Sequence, residues 1–66
     1  MTLGEKIKYL REDKGITQQI MADEFNLHRG TIAGYETGKR TPDIYVLKKI
    51  AKYLDVTLDY LVDENL

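Results

Sequence analysis

At 66 residues the chain allows one small domain, burying only roughly 60% of the surface its unfolded form exposes. A hydrophobic fraction of 42%, a charged fraction of 32% and no cysteine describe a folded globule without disulfides or thiolate metal sites. Ten basic against eleven acidic residues leave a net charge of −1, which argues against strong bulk attraction to a polyanion.

Period-3.6 apolar spacing recurs along the chain, and sustained period-2 alternation does not. Leu3, Ile7 and Leu10 share a helical face, and Thr2 with Glu5 forms a capping box, predicting a first helix from about Leu3 to Lys14. Gly15 suits the left-handed position that ends it. Thr17 caps a second helix with Met21, Ala22 and Phe25 on one face, and Asn26 follows as a residue at ease with positive φ. The third helix runs from about Arg29 to Thr37, with Ile32 and Tyr35 inward and Gly38 as terminator. Thr41-Pro42-Asp43 reads as cap, first helical residue and acid for a fourth helix, which carries Ile44, Leu47, Ile50, Ala51 and Leu54 inward. Thr57 caps a short fifth helix that contributes Leu58 and Leu61. No run approaches the ~18 apolar residues of a membrane span. The expected fold is all-α: five short helices in a single domain, residues 1–66.

Residues 17–37 have the layout of a helix-turn-helix, two short helices about a tight turn with a basic loop after them. Ala22 supplies the small residue that two steeply crossing helices need, and Asn26 supplies the turn. Ile32 and Tyr35 anchor the third helix, leaving His28, Arg29, Gly30, Thr31, Ala33 and Gly34 on its other side. Charge is also uneven. Residues 1–52 hold all ten bases against seven acids, a net of +3, and residues 53–66 hold four acids and no base, −4. The run His28 to Thr41 carries Arg29, Lys39 and Arg40 against Glu36 alone, so a globally acidic chain can still present a basic face.

The sequence resembles the Cro/phage-repressor helix-turn-helix family, the Xre-type regulators, over nearly its whole length. The resemblance is carried by Tyr9-Leu10-Arg11, Gly15-Ile16-Thr17-Gln18, Met21-Ala22, Tyr35-Glu36-Thr37-Gly38-Lys39-Arg40-Thr41-Pro42, Leu47-Lys48-Lys49-Ile50-Ala51 and Val56-Thr57-Leu58-Asp59-Tyr60-Leu61. It implies a compact five-helix, lambda-repressor-like DNA-binding domain that usually works as a homodimer. It further implies a cytoplasmic transcription regulator, a repressor on a pseudo-palindromic operator with half-sites about 34 Å apart.

By the same resemblance Gln18 matches a phosphate-contacting position, where a helix N-terminus already offers N–H groups and positive potential. Arg29 matches the main base-reading position, able to hold guanine O6 and N7 together. Thr31 can reach phosphate or a thymine methyl, and His28 stands where a Ser or Thr cap is commoner. Lys39 and Arg40 match backbone-gripping positions, and Arg11 and Glu36 match an internal salt bridge. Gly30 and Gly34 stand where many relatives carry a polar base reader. Close approach to the groove is the role expected of them, leaving Arg29 and DNA shape to discriminate.

Catalysis finds no support: the chain has no Cys, no Ser and one His, so the hydrolase triads are absent. No glycine-bearing oxygen-rich loop turns Asp55, Asp59, Asp63 and Glu64 into a calcium site, and they read as a solvated acidic tail. No motif calls for a cofactor or a small-molecule substrate. Leu58, Tyr60, Leu61 and Val62 leave more apolar surface than one small core needs, which predicts a dimer face, and Ile20 is a similar candidate for contact. The rival readings are a protein–protein module on the same fold, such as an antitoxin, and the DNA-binding part of a longer repressor.

Overall fold

A computed structural model describes residues 1–63, so Glu64 of the acidic tail lies outside the described residues. Five helices follow in the expected order: α1 (Leu3–Asp13), α2 (Gln18–Glu24), α3 (Arg29–Thr37), α4 (Ile44–Tyr53) and α5 (Leu58–Val62), with no strand among the described residues. The capping box forms, Thr2 N–H donating to Glu5 Oε1 at 2.8 Å and Glu5 N–H to Thr2 Oγ1 at 3.1 Å. Thr17 and Thr57 cap α2 and α5 by accepting from Ile20 N–H and Tyr60 N–H at 3.1 and 3.0 Å. Each hydroxyl satisfies an amide that has no partner within its helix.

The start of α4 differs from expectation. Its cap is Asp43, whose carboxylate accepts from Val46 N–H at 2.9 Å, so Thr41 and Pro42 precede the helix. Two physical facts favour this register. A carboxylate gains more than a hydroxyl from the positive end of the helix, and Pro42, which has no N–H to satisfy, is free to be buried. Ile44, expected inward, becomes the first helical residue and is 50% exposed.

α1, α2 and α4 stop in the same way. Gly15, Asn26 and Asp55 adopt φ of 72°, 59° and 61°, and Asp55 was not foreseen in this role. The following amide then reaches five residues back, Ile16 to Arg11, Leu27 to Ala22 and Val56 to Ala51, which satisfies carbonyls left open at the helix end. Ile16, Leu27 and Val56 fold back half-buried against the core. α3 ends differently: Gly38 is left-handed at φ 81°, and the amide that returns to the helix is that of Arg40, six residues after its acceptor Gly34 O.

One core joins the helices, made of Ile7, Met21, Ala22, Ile32, Tyr35, Leu47, Ile50, Ala51, Leu54 and Leu61. Phe25 and Tyr53 meet edge to face at 5.2 Å between centroids, fastening the end of α2 to the end of α4. α1 lies so close to α3 that a Cβ on Gly4 would sit 2.5 Å from the carbonyl oxygens of Tyr35 and Glu36. Lys6 is a buried cation on α1. Its ammonium donates to Tyr60 O at 2.8 Å and to Asp63 O, and lies 5.2 Å from the Tyr60 ring centroid. Carbonyls at a helix C-terminus and an aromatic face both favour positive charge, which offsets its loss of water.

These contacts correct the expected dimer face. Leu61 is fully buried in the core, Leu58 packs half-buried against that core, and Tyr60 is half-covered beside Lys6. Val62 is the member of the set that stays exposed, at 45%. A five-residue helix closing a small core has few faces to spare, so most of its apolar side chains are needed inside.

Candidate nucleic-acid interface

α2 and α3 are short helices joined by the turn at Phe25–His28, and their N-termini come together at one surface. The link is a chain of hydrogen bonds that begins in the interior. Arg11 Nε donates to Glu36 Oε2 at 2.7 Å and a second guanidinium nitrogen donates to Glu36 Oε1 at 3.2 Å, with both residues buried. Arg11 also donates to Ile16 O at 2.7 Å, which ties the end of α1 into the same cluster. The expected salt bridge between α1 and α3 is therefore present, and it holds Arg11 above its usual guanidinium pKa, chiefly through the hydrogen bond to Glu36.

Glu36 takes a second partner that the sequence did not reveal, through a third hydrogen bond. Gln18 Nε2, from the first residue of α2, donates to Glu36 Oε1 at 3.0 Å, and Gln18 Oε1 accepts from Arg29 at 3.2 Å. An ionised carboxylate only accepts, so it dictates which end of the Gln18 amide faces inward. The amide oxygen is then turned to Arg29, and the second amide N–H is left for an outside acceptor. Arg29 and Glu36 share a face of α3, but Arg11 lies on α1 and Gln18 on α2, so the full chain depends on how three helices pack and is not legible in the sequence.

The other expected site residues divide by placement. His28, Arg29, Gly30, Lys39 and Arg40 are exposed, while Gln18 and Thr31 are half-buried. His28 occupies the cap position of α3 without making a side-chain capping bond. A Cβ on Gly30 would meet nothing within 4 Å, so that part of α3 is open to an approaching surface. Gly34 corrects the expectation: it is buried, and a Cβ there would lie 3.1 Å from Cγ and Cδ of Arg40. The arginine stem covers it, so Gly34 is closed where Gly30, one turn earlier on the same side, is open. Glu36, the one acid between His28 and Thr41, is turned inward onto Arg11, so the charges this run presents to solvent are Arg29, Lys39 and Arg40.

No helix among the described residues is long and apolar enough to cross a membrane. Two helix N-termini thus meet at Gln18 and Arg29 beside the open Gly30, and Lys39 and Arg40 are exposed in the loop that follows α3. YqaE of Bacillus subtilis (strain 168), an uncharacterized HTH-type transcriptional regulator, is 45% identical over 59 residues, covering 89% of this chain and 51% of its own. The immunity repressor protein of Bacillus phage phi105 is 31% identical over 65 residues, covering 98% of this chain and 45% of the repressor. The chain thus spans about half the length of these relatives. Among solved structures, the P22 c2 repressor protein, crystallised with a synthetic operator, superposes with a TM-score of 0.89 at 24% identity over 96% of each chain and shares the fold. The Helix-turn-helix family model matches residues 7–61, and the chain belongs to that family.

Proposed function

We propose that the chain is the DNA-binding unit of a sequence-specific transcriptional regulator, a repressor that holds a pseudo-palindromic operator as a homodimer. The observation that carries this reading is the pairing of Gln18 with Arg29. It brings two helix N-termini together and holds ready an arginine whose remaining donors match the edge of guanine. Arg29 reads a base from the first turn of α3, with Thr31 and His28 beside it and Gly30 permitting close approach. Gln18, through its free amide N–H, and Lys39 engage phosphates and set register. In this reading residues 1–66 form one domain with its helix-turn-helix over about 17–37, acting in the cytoplasm on double-stranded DNA without cofactor or catalysis. Relatives named as HTH-type regulators and phage repressors support it.

Selection of bound duplexes from a random pool, followed by a salt titration, tests the proposal. The expected result is a two-fold symmetric sequence with half-sites about 34 Å apart, centre to centre, bound with a log–log salt slope of several units. Ile20, Tyr45 and Val62 are 50%, 74% and 45% exposed, apolar surface that a protein-binding module such as an antitoxin would use. Absence of duplex binding even at low salt would overturn the DNA reading in favour of that module.

A further inference from the structure

We propose that Arg40 is a base-reading residue that Gly34 seats on α3, in place of the side chain position 34 lacks. The inference rests on the DNA-binding reading above and departs from the simpler view that Arg40, like Lys39, grips phosphate.

The seat has a main-chain and a side-chain part. Arg40 N–H donates to Gly34 O at 3.1 Å, and the Cβ, Cγ and Cδ atoms of Arg40 stand 3.4, 3.1 and 3.1 Å from where a Gly34 Cβ would be. A Cβ at 34 would shift the stem by a few tenths of an ångström, and a larger side chain would push it away. The end of α3 also sets Arg40 apart from its neighbour. At the other interhelix turns the returning amide follows the left-handed residue directly, in Ile16, Leu27 and Val56. After left-handed Gly38 that position is Lys39, yet the returning amide is that of Arg40. The extra residue leaves Lys39 outside and lays Arg40 along the helix.

The guanidinium is then carried on the helix rather than on a loop. Among the described residues it makes no hydrogen bond or ion pair, whereas Arg11 is held by Glu36 and Arg29 by Gln18. Gly34 lies one turn beyond the open Gly30 on the same side of α3, so the stem crosses the helix where a polar reader would otherwise begin. An arginine with its stem already packed loses less freedom on binding. Its planar fork fits guanine, which the point charge of lysine does not.

The test uses the full chain and its selected duplex, measured against every single-base variant of that duplex. Arg40→Ala is expected to lower affinity about tenfold and to abolish preference at one base pair of each half-site. Arg40→Lys should not restore that preference. Gly34→Ala should weaken the same preference with Arg40 still present, and the double variant should be no worse than Arg40→Ala. A uniform loss over all duplexes for Arg40→Ala, with the salt slope reduced by about one, would make Arg40 a phosphate contact and overturn the inference. Additive losses in the double variant would overturn the seat. A wild-type chain that selects no duplex overturns the DNA-binding reading itself, and this inference with it.

Discussion

Glu36 is the residue on which the interface turns, although it is buried and acidic. It neutralises Arg11, orients the Gln18 amide and, through that amide, restrains Arg29. Removing its charge leaves a buried guanidinium without its counter-ion, so Glu36→Gln should cost about 3–5 kcal/mol in urea unfolding. A loss below about 1 kcal/mol would mean that water screens the pair as it does at a surface. The raised Arg11 pKa adds no pH dependence, because a raised base stabilises at every pH below its unfolded value, and arginine is charged throughout that range. Glu5 behaves oppositely. Its pKa is lowered, first by the backbone N–H of Thr2 and then by the Thr2 hydroxyl. A depressed carboxyl contributes stability above its unfolded value and loses it as pH falls through the folded one. Thermal melts across the acid range should therefore show a shallower decline for Glu5→Gln, and an unchanged decline would assign the acid limb to other carboxylates.

At the scale of the helices, the ends carry more information than the middles. The caps Thr2, Thr17 and Thr57, the stops Gly15, Asn26 and Gly38 and the inward faces apart from Ile44 are legible because each rests on a neighbour within one turn. The start of α4 has no local discriminator in the sequence: Thr41 and Asp43 both make good caps, and the structure uses Asp43, with Pro42 buried before the helix. Asp55 is a weak signal because aspartate enters the left-handed region less readily than glycine, and only its position after α4 marks the turn. The glycines of α3 give a paired prediction. Gly38 has φ 81°, where any side chain is strained, so Gly38→Ala should destabilise by about 1 kcal/mol. Gly30 lies in open helix, so Gly30→Ala should stabilise by roughly 0.5–1 kcal/mol. Equal melting shifts of the same sign for the two variants would contradict these placements.

For the molecule as a whole, the arithmetic of net −1 conceals an ordered separation of charge. The acids Asp55, Asp59 and Asp63 gather around α5, while Arg29, Lys39 and Arg40 face solvent from α3 and the loop after it. A small net charge still predicts weak non-specific attraction, so sequence preference has to supply most of the discrimination. Self-association has a narrower base than the sequence implied, since Leu61 is core and Leu58 and Tyr60 are half-covered. If a homodimer forms through the end of α5, Val62→Asp should shift sedimentation toward the monomer without changing the fold, and an unchanged sedimentation coefficient would move the interface elsewhere. Local signals in the sequence specify the helices, the turn, most of the core and the exposed cations Arg29, Lys39 and Arg40. Periodicity, caps and left-handed residues act within a turn or two of chain, so a single sequence expresses them directly. That Glu36 faces inward, that Gln18 joins it to Arg29, that Lys6 is buried against α5 and that Arg40 lies on Gly34 follows from the packing of the helices. Arg11 pairs with Glu36 across 25 residues and Lys6 with Tyr60 across 54. Contacts of that range depend on how the helices pack, and packing is a property of the whole chain.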